Sequence, residues 1–417
     1  MSTTSPTFCA LPFGHLFLSE EGKSFPCCYT LETGAVNRDE SGEAISVRNP
    51  EDLSRAWNSP TQRNVRKSLL AGEKPAACKR CFGLEGHGLM SLREVSNRSF
   101  GREAARAAAR MQPDGSLPLE LFSVDLRLGN FCNLRCQMCS PVSSRKLAAD
   151  FRLLYPEAKE DFQQQAAIDW HKNSSLLSGL LNSAEALREA HFAGGEPFLI
   201  PEVATVVEGL AQRHDAKEIS LSFNTNATYL PEKLLALFPR FKSVRLMVSV
   251  DGVGEVNDYI RFPSKFREIE KNLSRIREKQ NEWNLTYVCF NITVQIHNIF
   301  HIPALINYLA ENYPTFFPFP VLGALNVPEC LSVKVLPSSV KAEARRRIEE
   351  FIQSGRSAWG EWERRAPDRG AEKFLGEVRG LIDFMDSEDR TDLLPEFHRF
   401  SAVIEGIRGQ KLAVPGL

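Results

Sequence analysis

"FCNLRCQMCSP" (residues 131–141) gathers three cysteines, Cys132, Cys136 and Cys139, into one short stretch of a 417-residue chain. Thiolates bind zinc, copper(I) and iron–sulfur clusters, and a closed tetrahedral site takes four protein ligands. The spacing C-x3-C-x2-C supplies three, so a metal group held here keeps one position open. The preceding segment, "FSVDLRLGN" (122–130), reads as a strand, which puts the cysteines in the loop at its C-terminal end. Parallel α/β folds build their sites on that edge.

Outward from this loop the pattern repeats. "LREAHFAGG" (187–195), "EISLSFNTN" (218–226), "SVRLMVSVDG" (243–252) and "VCFNITVQI" (288–296) also read as strands followed by turn residues. Amphipathic segments such as "PEVATVVEGLAQRH" (201–214) and "PEKLLALFPRF" (231–241) lie between them. Strand-then-helix order predicts parallel strands in a doubly wound sheet or a barrel. Beyond "LSVKVLPSSVK" (331–341) the chain is helical and charged to "LPEFHRFSAVIEGIRGQ" (394–410), and no internal repeat is visible.

The first 95 residues differ. Five cysteines sit among turn residues, with one helical stretch, "EDLSRAWNSPTQRNVRKSLLAGEK" (51–74), carrying Trp57, Val65, Leu69 and Leu70 at near-helical spacing. "NRSFGREAARAAARMQPDGS" (97–116) predicts a connecting helix that stops at "PDG". Its arginines, like those of "KAEARRRIEEF" (341–351), are expected on a solvated face.

With 43% hydrophobic and 25% charged residues, and 51 basic against 52 acidic, the chain reads as soluble and globular, without the basic excess of a nucleic-acid binder. No run of 18 apolar residues and no secretory leader is visible, so a cytoplasmic protein with no membrane partner is expected. A reducing compartment disfavours disulfides, so the clustering of eight of the ten cysteines before residue 140 needs another cause. Cys289 and Cys330 stand alone and are expected as small buried side chains.

The cysteine loop, in this position after a strand, resembles the signature of radical S-adenosylmethionine (radical SAM) enzymes. The resemblance covers roughly residues 121 to 300 and includes four further segments in order. It implies that Cys132, Cys136 and Cys139 hold three irons of a [4Fe–4S] cluster, and that the amino and carboxylate groups of S-adenosylmethionine chelate the fourth. "HFAGGEPFL" resembles the family's glycine-rich segment, which implies that Gly194 and Gly195 admit the methionine end of the cofactor and Glu196 meets its ammonium. By the same resemblance Asn226 lines the pocket, Ser249 and Asp251 face the ribose, Arg261 reaches the carboxylate, and the Val294 backbone meets the adenine. Met138 stands where the family often has an aromatic residue over the adenine, and a thioether makes a soft apolar contact there.

Cys9, the adjacent Cys27 and Cys28, and the pair Cys78 and Cys81 form a second set, able to staple a loop-rich region through zinc or a cluster. The layout C-x12-G-x4-C followed by "CKRC" resembles the SPASM extension in its shorter twitch form, here ahead of the barrel, which holds an auxiliary [4Fe–4S] cluster. Counting from Gly22, that match selects Cys27 over Cys28. His87 is expected as a loop hydrogen-bonder, and Glu85 and Arg93 as either an ion pair or substrate contacts.

The expected fold is α/β: a partial (β/α)6 barrel of TIM type, with an N-terminal Cys-rich twitch-like module and a helical C-terminal region. The expected boundaries are 1–95 for the cluster module, 96–120 for the linker, 121–325 for the barrel core, and 326–417 for barrel completion and the C-terminal helices. The resemblance implies one-electron cleavage of S-adenosylmethionine to methionine and a 5′-deoxyadenosyl radical, fed by a donor such as flavodoxin or ferredoxin. That radical takes a hydrogen atom from an unactivated C–H bond of a peptide or small molecule, with the auxiliary cluster supporting oxidation or crosslinking in natural-product or cofactor biosynthesis. The alternatives are a redox-neutral epimerisation or rearrangement with a structural second cluster or zinc, where Cys28, Cys289 or Cys330 is a candidate hydrogen donor, and a non-catalytic metal-binding scaffold.

Overall fold

The computed structural model describes residues 5–86, 90–354, 359–365 and 370–417; His87 lies outside them. The fold is α/β, with an eight-stranded, mostly parallel sheet. The chain forms two compact units, one of Met1–Phe131, Ala167–Phe223 and Ala236–Ser243, the other of Cys132–Ala166, Asn224–Leu235 and Val244–Leu417.

In the first unit β1 (His15–Leu18) pairs antiparallel with β2 (Ser24–Phe25) and parallel with β3 (Ser123–Leu126); β3 then pairs parallel with β4 (Glu189–Phe192), and β4 with β5 (Ser220–Thr225). The second unit carries the parallel strands β6 (Ser243–Ser249), β7 (Leu285–Val294) and β8 (Val321–Ala324). Along the chain β3 to β8 alternate with helices; the first five of these strands are those read from the sequence, and β8 is a sixth. Period-two alternation sets the faces. In the first unit Val124, Leu126, Ala190, Phe192, Leu221 and Phe223 are buried on one face, where Phe198, Phe192 and Phe238 ring Phe223 at 5.1 to 5.4 Å. The opposite face is polar. In register across it run His15, Ser123, Glu189 and Ser220, then Phe17, Asp125, His191 and Ser222.

Two features differ from the sequence reading. β1 is an additional strand; its four residues, His-Leu-Phe-Leu, are all buried, so they show no alternation to mark them. The single N-terminal helical stretch is two helices, Pro50–Trp57 and Pro60–Leu70. Ser59 accepts a cap from the Gln62 N–H (3.2 Å), and Pro60, which lacks an N–H, opens the second helix rather than continuing the first.

Arg66 fills the angle between these helices and is fully buried. Its guanidinium donates to Pro12 O (2.7 Å), Asn58 Oδ1 (3.1 Å), Gly115 O (3.2 Å) and Trp57 O (2.9 Å), and lies 4.4 Å over the Trp57 ring. Burial among neutral acceptors pulls its pKa down to about 9. One side chain therefore holds together four segments: its own helix, Pro12, Trp57–Asn58 and Gly115.

The C-terminal region is helical as expected, with helices Ser338–Ser354, Gly360–Arg365, Ala371–Asp386 and Leu394–Arg408. Arg346 pairs with Glu343 and Glu350 on an exposed face, while Phe319, Trp359, Trp362 and Phe374 form an aromatic core beside it. Among the described residues no helix is long and apolar enough to cross a membrane. Arg66→Met, which keeps length but strands four acceptors, is expected to lower unfolding free energy by about 3 kcal/mol in urea titrations, with less of the loss for Arg66→Lys.

Candidate functional site

The cysteine loop begins the second unit. Cys132 and Cys136 are buried, Cys139 is half-buried, and all three are free thiols packed with Leu134 and Met138. Main-chain bonds fix the loop: Arg135 N donates to Phe262 O (2.6 Å), Gln137 N to Ile260 O (2.8 Å), and the Ser144 hydroxyl to Leu134 O (2.6 Å). Within the loop, Leu134 N also donates to Cys132 Sγ (3.4 Å). Asn226 Nδ2 donates to Asn133 Oδ1 (3.0 Å) and lies 3.9 Å from Cys132 Sγ. Arg261 Nη1 lies 4.0 Å from Cys136 Sγ.

Asp251 is fully buried, and both carboxylate oxygens are engaged. Oδ1 accepts the Thr293 N–H (2.7 Å) and Oδ2 meets Arg261 Nε (2.7 Å). In this arrangement Asp251 orients Arg261 and ties the end of β6 to β7. Burial pushes its carboxyl up, against the pull of Arg261 beside it. Ser249 ends β6 half-buried, in register with Asn291. Val294 ends β7 fully buried, and its carbonyl accepts the Leu325 N–H (2.9 Å). Met138 also packs against Val256, Tyr259 and Ile260, a cluster that Leu412 covers as well. The sequence reading placed no residue after Val294 near the site, so Leu412 on this cluster is a neighbour that only the fold shows.

Gly194, Gly195 and Glu196 lie in the first unit. Gly194 has φ +102°, and a Cβ there would stand 2.9 Å from Gly129 O; a Cβ on Gly195 would stand 2.3 Å from Phe131 O. Gly195 N donates to Gly129 O (3.2 Å) and Glu196 N to Phe131 O (2.8 Å). The close approach that these glycines permit is to the backbone after β3. Glu196 is buried, and its carboxylate accepts from Phe198 N (3.3 Å).

The first unit also contains a pocket with about 440 Å³ of atom-free space, part of it open to solvent, with Cys9, Cys27, Cys78 and Cys81 on its wall. Cys28 packs elsewhere, with Phe17, Phe25 and Val36. The two neighbouring thiols therefore face different surroundings, and Cys27 shares the wall with the other three. Burial pushes the Cys9 thiol up to about 12 and Cys78 to about 11, with neighbouring cysteines adding to the effect. The four thiols line one pocket, although among the described residues they are not drawn together closely enough to form a metal-holding group.

Glu85 and Arg93 form an ion pair beside this pocket: Arg93 Nε donates to Glu85 Oε1 (2.9 Å) and Nη1 to Phe8 O (2.8 Å), next to Cys9. Of the two sequence readings, the structural one fits. Cys289 and Cys330 are buried, as expected of isolated cysteines.

Three cysteines on one loop and four on one pocket wall are the donor types of an iron–sulfur protein. Residues 126–309 match the Radical SAM superfamily, and residues 9–82 match SPASM, the iron–sulfur cluster-binding domain. The chain belongs to the radical SAM superfamily and carries its SPASM domain at the N-terminal side; it is an enzyme of that class, whose cofactors are a [4Fe–4S] cluster with S-adenosylmethionine and an auxiliary iron–sulfur cluster. Among solved structures it is similar to SuiB of Streptococcus suis bound to S-adenosylmethionine, at 14% identity over 85% of this chain and 70% of that one, with a TM-score of 0.36. It is also similar to anSMEcpe with bound AdoMet and a Cp18Cys peptide, at 14% identity over 56% of this chain and 60% of that one, with a TM-score of 0.37. No curated protein matches the chain.

Gly195→Ala forces a methyl into the Phe131 carbonyl, and is expected to weaken S-adenosylmethionine binding at least about tenfold by equilibrium dialysis, because the backbone beside the cysteine loop has to move. Arg93→Met is expected to cost about 2 kcal/mol in thermal or urea unfolding. Arg93 and Ser91 hold the Glu85 carboxyl below its usual range. The stabilisation is therefore complete above the ordinary glutamate pKa and is lost as pH falls through the lower folded value, so the wild-type advantage over Arg93→Met should shrink only in acid.

Proposed function

We propose that Cys132, Cys136 and Cys139 ligate the cluster that binds S-adenosylmethionine, and that Cys9, Cys27, Cys78 and Cys81 ligate the auxiliary cluster. The reaction is an oxidative modification or crosslinking of a peptide or small metabolite in natural-product or cofactor biosynthesis. The observation that carries this reading is the presence of two separate sets of cysteines outside any disulfide, three on one loop and four on one pocket wall. When bound, the open cluster supplies one-electron cleavage of S-adenosylmethionine, and the hydrogen atom is taken from an unactivated C–H bond of the substrate.

The protein's own residues bind and orient. Gly194 and Gly195 let the chain pass close to the loop, and Glu196 offers a buried carboxylate to an ammonium. Asn226 and Arg261 stand beside the thiols, Asp251 holds Arg261 in place, and Met138 gives an apolar contact backed by Tyr259 and Ile260. Ser249 and Val294, at the ends of β6 and β7, are the remaining contacts we assign to the cofactor.

The polar face of the first unit supports a polar substrate. Asp125 Oδ1 and Arg127 Nε are buried and, among the described residues, have no hydrogen-bond partner. An unmet acceptor and an unmet donor two residues apart suit an amide, which favours a peptide. Cys28, which packs away from the four-cysteine pocket, leaves a redox-neutral reaction as the second reading, with this thiol as hydrogen donor. An external one-electron donor such as flavodoxin or ferredoxin completes the scheme, in the reducing cytoplasm that ten free cysteines suit.

After anaerobic reconstitution we expect about eight irons per chain and formation of 5′-deoxyadenosine under strong reductant. The Cys132, Cys136 and Cys139 triple Ala variant should make no 5′-deoxyadenosine yet keep about four irons. About four irons with one zinc in the wild type would refute the auxiliary cluster, and cleavage surviving in the triple variant would refute the ligand set.

A further inference from the structure

The helix Leu394–Arg408 is the last of the chain, yet it meets the segment that carries the three cysteines. Tyr259 Oη donates to Glu405 Oε1 (3.1 Å), and one turn further Arg408 Nη2 donates to Asp150 Oδ2 (3.1 Å). The other oxygen of Asp150 accepts from Nη1 of Arg135 (2.7 Å), the residue immediately before Cys136. The Phe262 ring lies 4.8 Å from the Arg135 guanidinium and 5.1 Å from that of Arg408, and Phe262 O accepts the Arg135 N–H. Through Asp150, these contacts tie Arg408 to the residue that precedes Cys136.

The charges around this point do not balance. Arg261 is neutralised by Asp251, whereas Asp150 serves two guanidiniums at once. Arg135 has 23% of its side chain exposed, so water screens it, but Arg408 has only 2% exposed. Two of its donors, Nε and Nη1, have no hydrogen-bond partner among the described residues. A buried cation with unmet donors is unfavourable unless an anion comes near. The cysteine loop is where such an anion forms, since three thiolates and a reducible cluster gain negative charge when an electron arrives.

We infer that Arg408 is a fixed positive charge that raises the reduction potential of the cluster on Cys132, Cys136 and Cys139, so that the C-terminal helix sets how readily the first electron is accepted. The inference rests on the proposed ligand set. Arg408 is a positioning residue here, acting through the field at Cys136 and through its hold on Asp150. Burial makes the field strong, because little water lies near to screen it. An arginine suits the task, as its planar guanidinium meets Asp150 and the Phe262 ring at once.

The test is a dye-mediated redox titration of the reconstituted full chain, followed by the reduced-cluster EPR signal that added S-adenosylmethionine perturbs. Arg408→Gln, with iron content equal to wild type, should lower the potential, with about a tenfold smaller reduced-to-oxidised ratio at fixed potential, or about 59 mV for one electron. Asp150→Asn removes the countercharge and should shift the potential upward, a sign that structural damage common to both variants would not produce. Arg408→Lys should stay within about threefold of wild type, because it keeps the charge. These last two variants decide the matter if the Gln variant loads poorly. An unchanged potential in a loaded Arg408→Gln protein, or a downward shift in Asp150→Asn, would overturn the inference. A responsive signal that survives loss of all three cysteines would instead overturn the ligand set.

Discussion

The backbone contact between the glycine pair and the stretch after β3 is the constraint on which the first unit's functional edge depends. Gly195 N reaches Gly129 O, and Glu196 N reaches Phe131 O, at distances that leave no room for a Cβ on Gly195. Phe131 is the residue before Cys132, so these bonds fix the direction in which the chain enters the cysteine loop. Gly129 obeys the same rule with φ +82°, and a Cβ there would meet the His171 ring at 2.3 Å. Three glycines thus convert a strand end into a defined exit.

Arginine does much of the remaining joining. Arg66 gathers four segments through neutral acceptors, Arg93 ties Phe8 to Glu85 beside Cys9, and Arg261 is locked between Asp251 and the loop. Five donors in a rigid fork let one side chain meet several acceptors at once. Some of these acceptors lie near in sequence, as Glu85 does to Arg93, whereas Pro12 and Gly115 reach Arg66 from about fifty positions away. Only the near pairs can be suspected from local sequence.

The same distinction explains how much could be read from sequence. The alternation in "SVRLMVSVDG" and its companions marks β3 to β7 because polar and apolar residues interleave along these strands. β1 escaped because Leu16, Phe17 and Leu18 are consecutive apolar residues. The break at Ser59-Pro60 was written in residues that cap and open a helix, and was masked by the helical spacing of Trp57, Val65 and Leu69 across it. The cysteine loop was legible because its ligands are neighbours in sequence. By contrast, Arg408 and Asp150 are separated by 258 positions, and no periodicity links them.

The polar face of the first unit is built on strands rather than on loops. Ser123, Asp125, His191 and Ser222 sit at register positions that the backbone ladder holds whatever side chain they carry. An exchange among small polar residues there alters the hydrogen-bonding groups on the face while the Cα positions stay where they are. Backbone placement and side-chain chemistry are thereby separable on these strands: the ladder can remain as it is while its donors and acceptors are rewritten one position at a time.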